Sequence, residues 1–139
     1  MKTIYTVWIV MLSFIVTAQS ESVVGNYAVK LGTADFFEYK LNLNEDGTFF
    51  FHYYSNIRQG IPPEVTKYGK GKWTVDKNVV TFVTDKQNID AKHTLDFSIT
   101  KARFIFKSPR DKSDRIIQTK LKFLESSLPW MYNIEMLKI

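Results

Sequence analysis

The run Leu41-Asn42-Leu43-Asn44-Glu45-Asp46-Gly47-Thr48-Phe49-Phe50-Phe51 states two strands and the turn between them. Asn44-Glu45-Asp46-Gly47 has the composition of a type I turn followed by a residue in the left-handed conformation. That is a three-residue hairpin loop ending in a G1 bulge, and Gly47 takes the positive φ without steric cost. Such a loop fixes the strand register. With Asn44 opposite Thr48, Leu43 faces Phe49, Leu41 faces Phe51 and Tyr39 faces Tyr53, so all six point to one side of the sheet. A slip of one residue would turn the whole set into water.

The flanking sequence keeps the same period. Phe37, Tyr39, Leu41 and Leu43 alternate with Glu38, Lys40 and Asn42, the signature of a strand with one buried face. The return strand is aromatic on both faces, and the register puts Phe49, Phe51 and Tyr53 inside and Phe50, His52 and Tyr54 outside. Residues 24–31 read as a first strand. Residues 56–66, with Gly60 and Pro62-Pro63, read as a rim loop whose Ile57, Ile61 and Val65 fold back onto the rim or the mouth of a cavity. Residues 67–75 and 79–84 form a hairpin about Asp76-Lys77-Asn78, best buried with Trp73 opposite Phe82 and Val75 opposite Val80. In 92–99, Leu95, Phe97 and Ile99 face inward against Thr94, Asp96 and Ser98. Phe104 and Phe106 point inward from 102–107, Ile117, Leu121 and Phe123 from 116–123, and 133–139 supplies a strand that closes the edge.

Eight or nine short strands at spacings of about ten residues, with no helical period after the first twenty residues, describe an all-β chain. Closure into an antiparallel up-and-down β-barrel of about eight strands hides every edge with the short connections present, a two-sheet sandwich being the alternative.

Met1-Lys2, an apolar run from Ile4 to Ala18 and small-residue exits at Val16-Thr17-Ala18 and Ala18-Gln19-Ser20 have the layout of a secretory signal peptide over 1–20, leaving one domain over 21–139. An uncleaved anchor is the alternative, although the run is short for a span and is broken by Thr6, Ser13 and Thr17. Export to the periplasm or the outside follows from the first reading, with no stable membrane anchor after cleavage. The chain holds no cysteine, so neither a disulfide nor a lipid-bearing thiol is available to it. Loss of Lys2 lowers the net charge from +5 to +4, a mild excess that suits anionic surfaces.

Gly25-Asn26-Tyr27, the strand ending at Leu43 before Glu45-Asp46-Gly47-Thr48-Phe49, and Gly71-Lys72-Trp73-Thr74-Val75 resemble the lipocalin-like secreted proteins. The nearest likeness is to the N-terminal domain of NlpE-type copper-resistance envelope lipoproteins, over roughly Gly25 to Thr84. The resemblance implies a small exported barrel. It does not carry copper or thiol chemistry, because Thr33-Ala34-Asp35-Phe36 stands where that family has a Cys-Ala-Asp-Cys box, and the lipobox cysteine is missing too.

No catalytic constellation emerges. The serines lack a nucleophile elbow, no glycine-rich phosphate cradle follows a strand, and His52 and His93 are not spaced as metal ligands, so neither cofactor nor metal is expected. Lys101, Arg103, Lys107, Arg110, Lys112, Arg115, Lys120 and Lys122 crowd the later strands, but Phe104, Phe106 and Phe123 fall on the opposite parity, which argues against a base-stacking platform and hence against nucleic acid. The expectation is a non-enzymatic binding protein. In one form Tyr39, Phe49, Phe51, Tyr53, Trp73, Phe82, Phe97 and Phe104 line a site for a small apolar or amphipathic ligand. In the other these rings fill the core, and Phe50, His52 and Tyr54, or the basic strands, dock an envelope protein or an anionic surface polymer. Trp130-Met131-Tyr132 is a candidate cover for that outward trio.

Overall fold

The computed structural model describes residues 22–139; the expected leader over 1–20 lies outside the described residues. The strands are β1 (Gly25–Leu31), β2 (Phe36–Leu43), β3 (Thr48–Asn56), β4 (Glu64–Asp76), β5 (Val79–Val83), β6 (His93–Leu95), β7 (Thr100–Ile105), β8 (Lys120–Glu125) and β9 (Glu135–Lys138). All but β6 pair antiparallel in one circuit, closed by β9 against β1, which makes an eight-stranded lipocalin-like barrel; β6 is a short parallel addition to β4.

The opening hairpin has the expected register, with Leu43 opposite Phe49, Leu41 opposite Phe51 and Tyr39 opposite Tyr53. Gly47 has φ 83° and its N–H donates to the Asn44 carbonyl at 3.1 Å, while the Asn44 N–H donates to the Thr48 carbonyl at 2.9 Å. At the β4–β5 turn Lys77 and Asn78 both adopt positive φ, as a two-residue turn matched to strand twist requires. Trp73 faces Phe82 and Val75 faces Val80 as expected, although Val75 lies far enough along the barrel end to stay exposed.

Inward positions form layers across β1 to β4. The register gives Gly25, Leu43, Phe49, Gly71 at one level, then Tyr27, Leu41, Phe51, Gly69, then Val29, Tyr39, Tyr53, Lys67, and finally Leu31, Phe37, Ser55, Val65. The first two levels are filled. Phe49, Phe51, Phe82, Phe97 and Phe123 are each buried to within 2 %, and the Phe97 ring lies 5.2 Å from Phe49 and 4.9 Å from Phe51, edge-on to both. Phe97 fits only because Gly69 has no side chain: a Cβ there would stand 2.6 Å from its ring. Aromatic contacts of this kind add about 0.5–1.5 kcal/mol each beyond area burial.

Several boundaries differ from the sequence expectation, each for a local reason. Glu64 to Thr66 belong to β4 rather than to a loop, since β3 runs on to Asn56 and pairs with them. Ile61 does not fold back; it is fully exposed. The strand expected over 92–99 ends at Leu95, and Ile99, expected inward, is exposed because its left-handed φ of 59° resets the alternation and sends Thr100 inside instead. Residues 116–119 lie outside any strand, Ile116 is 93 % exposed, and β8 starts at Lys120. Finally, Trp130 does not cover the outward trio. The 3-10 turn Pro129–Met131 folds over the end of the barrel, Met131 is fully buried, Trp130 packs half-buried against the core, and Tyr132 faces solvent.

Candidate functional site

The barrel is filled below and aromatic at its mouth. Trp130 stacks on Tyr39 with ring centroids 5.7 Å apart and an interplanar angle of 20°, and meets Tyr53 at 5.1 Å and Phe51 at 6.0 Å. These residues converge because β2 and β3 present Tyr39, Tyr53 and Phe51 on one inner face, while the β8–β9 connection drops the indole onto them. Two hydrogen bonds tie this connection to the chain that runs from β6 into β7: the Ser127 hydroxyl donates to the Asp96 carbonyl at 2.8 Å, and the Thr100 and Ser126 hydroxyls are 2.9 Å apart. On the other side of the mouth Lys67 holds an inward register position yet is exposed, which places a cation at the rim beside Tyr53. Burial, then the neighbouring Tyr53, pushes the Tyr39 hydroxyl above its ordinary pKa, so it stays a neutral donor.

The eight expected lining residues divide. Tyr39 and Tyr53 stand at the mouth, under Trp130. Phe51, Phe49, Phe82, Phe97 and Phe104 are buried in the core, Phe97 from a connection rather than a strand, and Phe104 stacks on a half-buried Phe106 at 5.1 Å. Trp73 stands at the far end, where its indole N–H donates to the Asn44 carbonyl at 3.1 Å and pins the first hairpin.

Phe50, His52 and Tyr54 do share the outer face, and that face is larger than the sequence indicated. His52 stacks on Tyr68 at 4.9 Å, Tyr68 meets His93 at 6.1 Å, Phe50 meets His93 at 6.4 Å and Tyr54 meets Phe36 at 6.2 Å. The Lys92 ammonium sits 4.8 Å over the Tyr68 ring. Phe50 remains 47 % exposed. Partial burial, then the Lys40 charge, pushes the His52 pKa below the usual imidazole range, with Glu38 opposing and Lys92 adding to the fall.

Among the described residues no group of three or more His, Cys, Asp or Glu side chains is placed to hold a metal ion. His93 is committed elsewhere, its Nδ1 lying 3.1 Å from Asp90. Comparison with family models, curated proteins and solved structures finds no match. The closed barrel bears out the lipocalin-like architecture that the sequence resemblance implied, and nothing supports the finer likeness to NlpE-type proteins.

Sequence reasoning missed Trp130 as a residue packed against the core and Phe36, Tyr68 and His93 as members of the outer face. A parity signal existed for Tyr68, which pairs with His52. None existed for Trp130 or His93, whose positions depend on where non-strand connections land.

Proposed function

We propose that this chain is an exported, non-enzymatic binding barrel that takes a small planar apolar or amphipathic molecule at its mouth, in the place that Trp130 occupies. The observation that carries this reading is the stack of the Trp130 indole on Tyr39, flanked by Tyr53 and Phe51. A site that holds a flat aromatic group of its own chain has the shape and chemistry to hold a flat aromatic guest, and the exposed Lys67 at the rim suits an anionic head. Because Met131 is anchored in the core, exchange requires rotation of the Trp130 side chain rather than departure of the whole turn. Giving up three ring contacts costs roughly 2–4 kcal/mol, and a guest binds more weakly by that amount than it would to an open mouth.

A second reading places recognition on the outer face of β2 to β4, favoured by the exposure of Phe50 among stacked rings. One experiment separates the two. Fatty acid, haem and a quinone are titrated by calorimetry against the wild type, Trp130→Ala and Phe50→Ser with Tyr54→Ser, and tryptophan emission is followed in the proteins that keep Trp130. The mouth reading expects a red shift on binding to the wild type, binding to Trp130→Ala that is tighter by roughly 30-fold or more, and no change in the outer-face double variant. Dissociation constants above about 0.1 mM, roughly −5.5 kcal/mol, for every probe and both variants would reject a carrier of these classes.

A further inference from the structure

The charge of this barrel is divided unevenly along the chain. Residues 22–100 carry nine basic and nine acidic side chains, whereas residues 101–139 carry nine and four. The whole net charge of the described chain therefore lies on β7, β8, β9 and their connections. On the outer face of these strands Arg103 pairs directly with Lys122, two like charges set opposite one another, which is unfavourable for the sheet itself. Lys101 and Lys120 share this face, and Lys107, Arg110, Lys112 and Arg115 follow in the β7–β8 connection. Lys101 faces Glu125 and Lys122 faces Glu135 across the strands, Glu135 also engages Lys120, and Asp111 engages Arg115, so the excess is carried by Arg103, Lys138 and the β7–β8 connection.

The same region also exposes Ile116, Tyr132, Leu137 and Ile139. Ile105, Lys120, Leu137 and Ala28 lie in one outward row across β7, β8, β9 and β1. Two open hollows adjoin this row and share Gln118: one of about 500 Å³ lined by Ile105, Ile116, Ile117, Gln118 and Lys120, the other of about 450 Å³ lined by Gln118, Thr119, Leu137, Lys138 and Ile139. Ile116 is 93 % exposed and Ile139 80 %.

We propose that the outer face of β7 to β9 docks on an anionic lipid bilayer, with Ile116 and Ile139 entering the headgroup boundary and Arg103, Lys122 and the β7–β8 connection meeting the lipid charge. Charge complementarity selects an anionic partner, and the isoleucines select a bilayer among anionic partners. A soluble polyanion gives them nothing to enter, and a protein partner would have to match isolated apolar side chains separated by Gln118 and Thr119, whereas a lipid interface deforms around them.

The test is sedimentation of the full chain, processed as the cell leaves it, with vesicles of phosphatidylcholine alone or with about 30 % phosphatidylglycerol. Binding at least tenfold tighter to the anionic vesicles, and weakened about tenfold between roughly 0.05 and 0.5 M salt, is expected. Arg103→Glu with Lys122→Glu abolishes the preference. Ile116→Ser with Ile139→Ser weakens vesicle binding several-fold yet leaves retention on heparin unchanged, and because both residues are exposed, this variant keeps the thermal midpoint. Equal binding to neutral and anionic vesicles overturns the proposal. So does retention on heparin without vesicle binding, which would assign the face to a soluble polyanion.

Discussion

Gly69 shows how far one residue decides what the barrel interior can be. An inward glycine on β4 lets the Phe97 ring press against the strand backbone, so the ring, and not a cavity, occupies that level. Glycine in a strand interior is unfavourable by about 0.5–1 kcal/mol relative to alanine, so Gly69→Ala would stabilise an empty site. Here the new Cβ meets a ring enclosed by Phe49, Phe51 and Phe82, and overpacking costs typically about 1–3 kcal/mol. A net loss of stability in urea unfolding is expected, and a gain would show that Phe97 has room to move. The alternation that places Gly69 inside could be read directly, since it pairs with Phe51; the ring above it could not, because Phe97 arrives from a connection twenty-eight positions along the chain.

Among the elements, β6 is the most weakly specified. It makes only the Tyr68–His93 and Gly69–Leu95 pairings with β4, and the Asp90 side chain organises its start. Asp90 accepts the backbone N–H groups of Lys92 at 2.9 Å and His93 at 2.6 Å, and lies 3.1 Å from the Lys70 ammonium. The His93 N–H first, then Lys70, holds the Asp90 carboxyl well below the usual carboxylate range. A group whose folded pKa is depressed contributes stability above its unfolded value, near 3.8, and loses it as pH falls further. Amide exchange at Lys92, His93 and Leu95, corrected for intrinsic rates, should keep its protection in the wild type down to about pH 4, begin to lose it below that, and lose it progressively as pH falls toward the much lower folded value. In Asp90→Ala protection should be low throughout. Undiminished protection in that variant would mean that β6 is held by the Phe97 anchor that follows it. The outer aromatic face shares this dependence, since His93 brings β6 against Phe50 and Tyr68.

For the molecule as a whole, closure rests on β9. Its four residues pair with β8 on one side and meet β1 on the other through Tyr27–Lys138 and Ala28–Leu137, extended by the Ile139 N–H to the Asn26 carbonyl at 2.8 Å. Removing residues 135–139 takes Met136 from the core and leaves β1 and β8 as open edges, which invite intermolecular pairing. Loss of the cooperative thermal transition and appearance of oligomers on size exclusion are expected. A monomer that still melts cooperatively would mean that the sheet does not need to close. The two proposed binding regions occupy different parts of this barrel, the mouth ringed by Tyr39, Tyr53 and Trp130 and the basic outer face of β7 to β9, so a bilayer-docked molecule would leave its mouth accessible.

Strand periods, hairpin registers and the division of rings between inside and outside were readable from residue order alone. A two-residue period and a turn with one permitted glycine conformation are local properties, which neighbours in sequence settle between themselves. The destinations of Phe97, Trp130 and His93 were not readable, because each sits where the period breaks. A left-handed residue at Ile99 and a 3-10 turn at Pro129–Met131 redirect the chain, and the space each ring enters is made by distant strands. Whether the barrel centre is filled or hollow is therefore a property of packing between segments far apart in the chain, and it is decided only when closure brings them together.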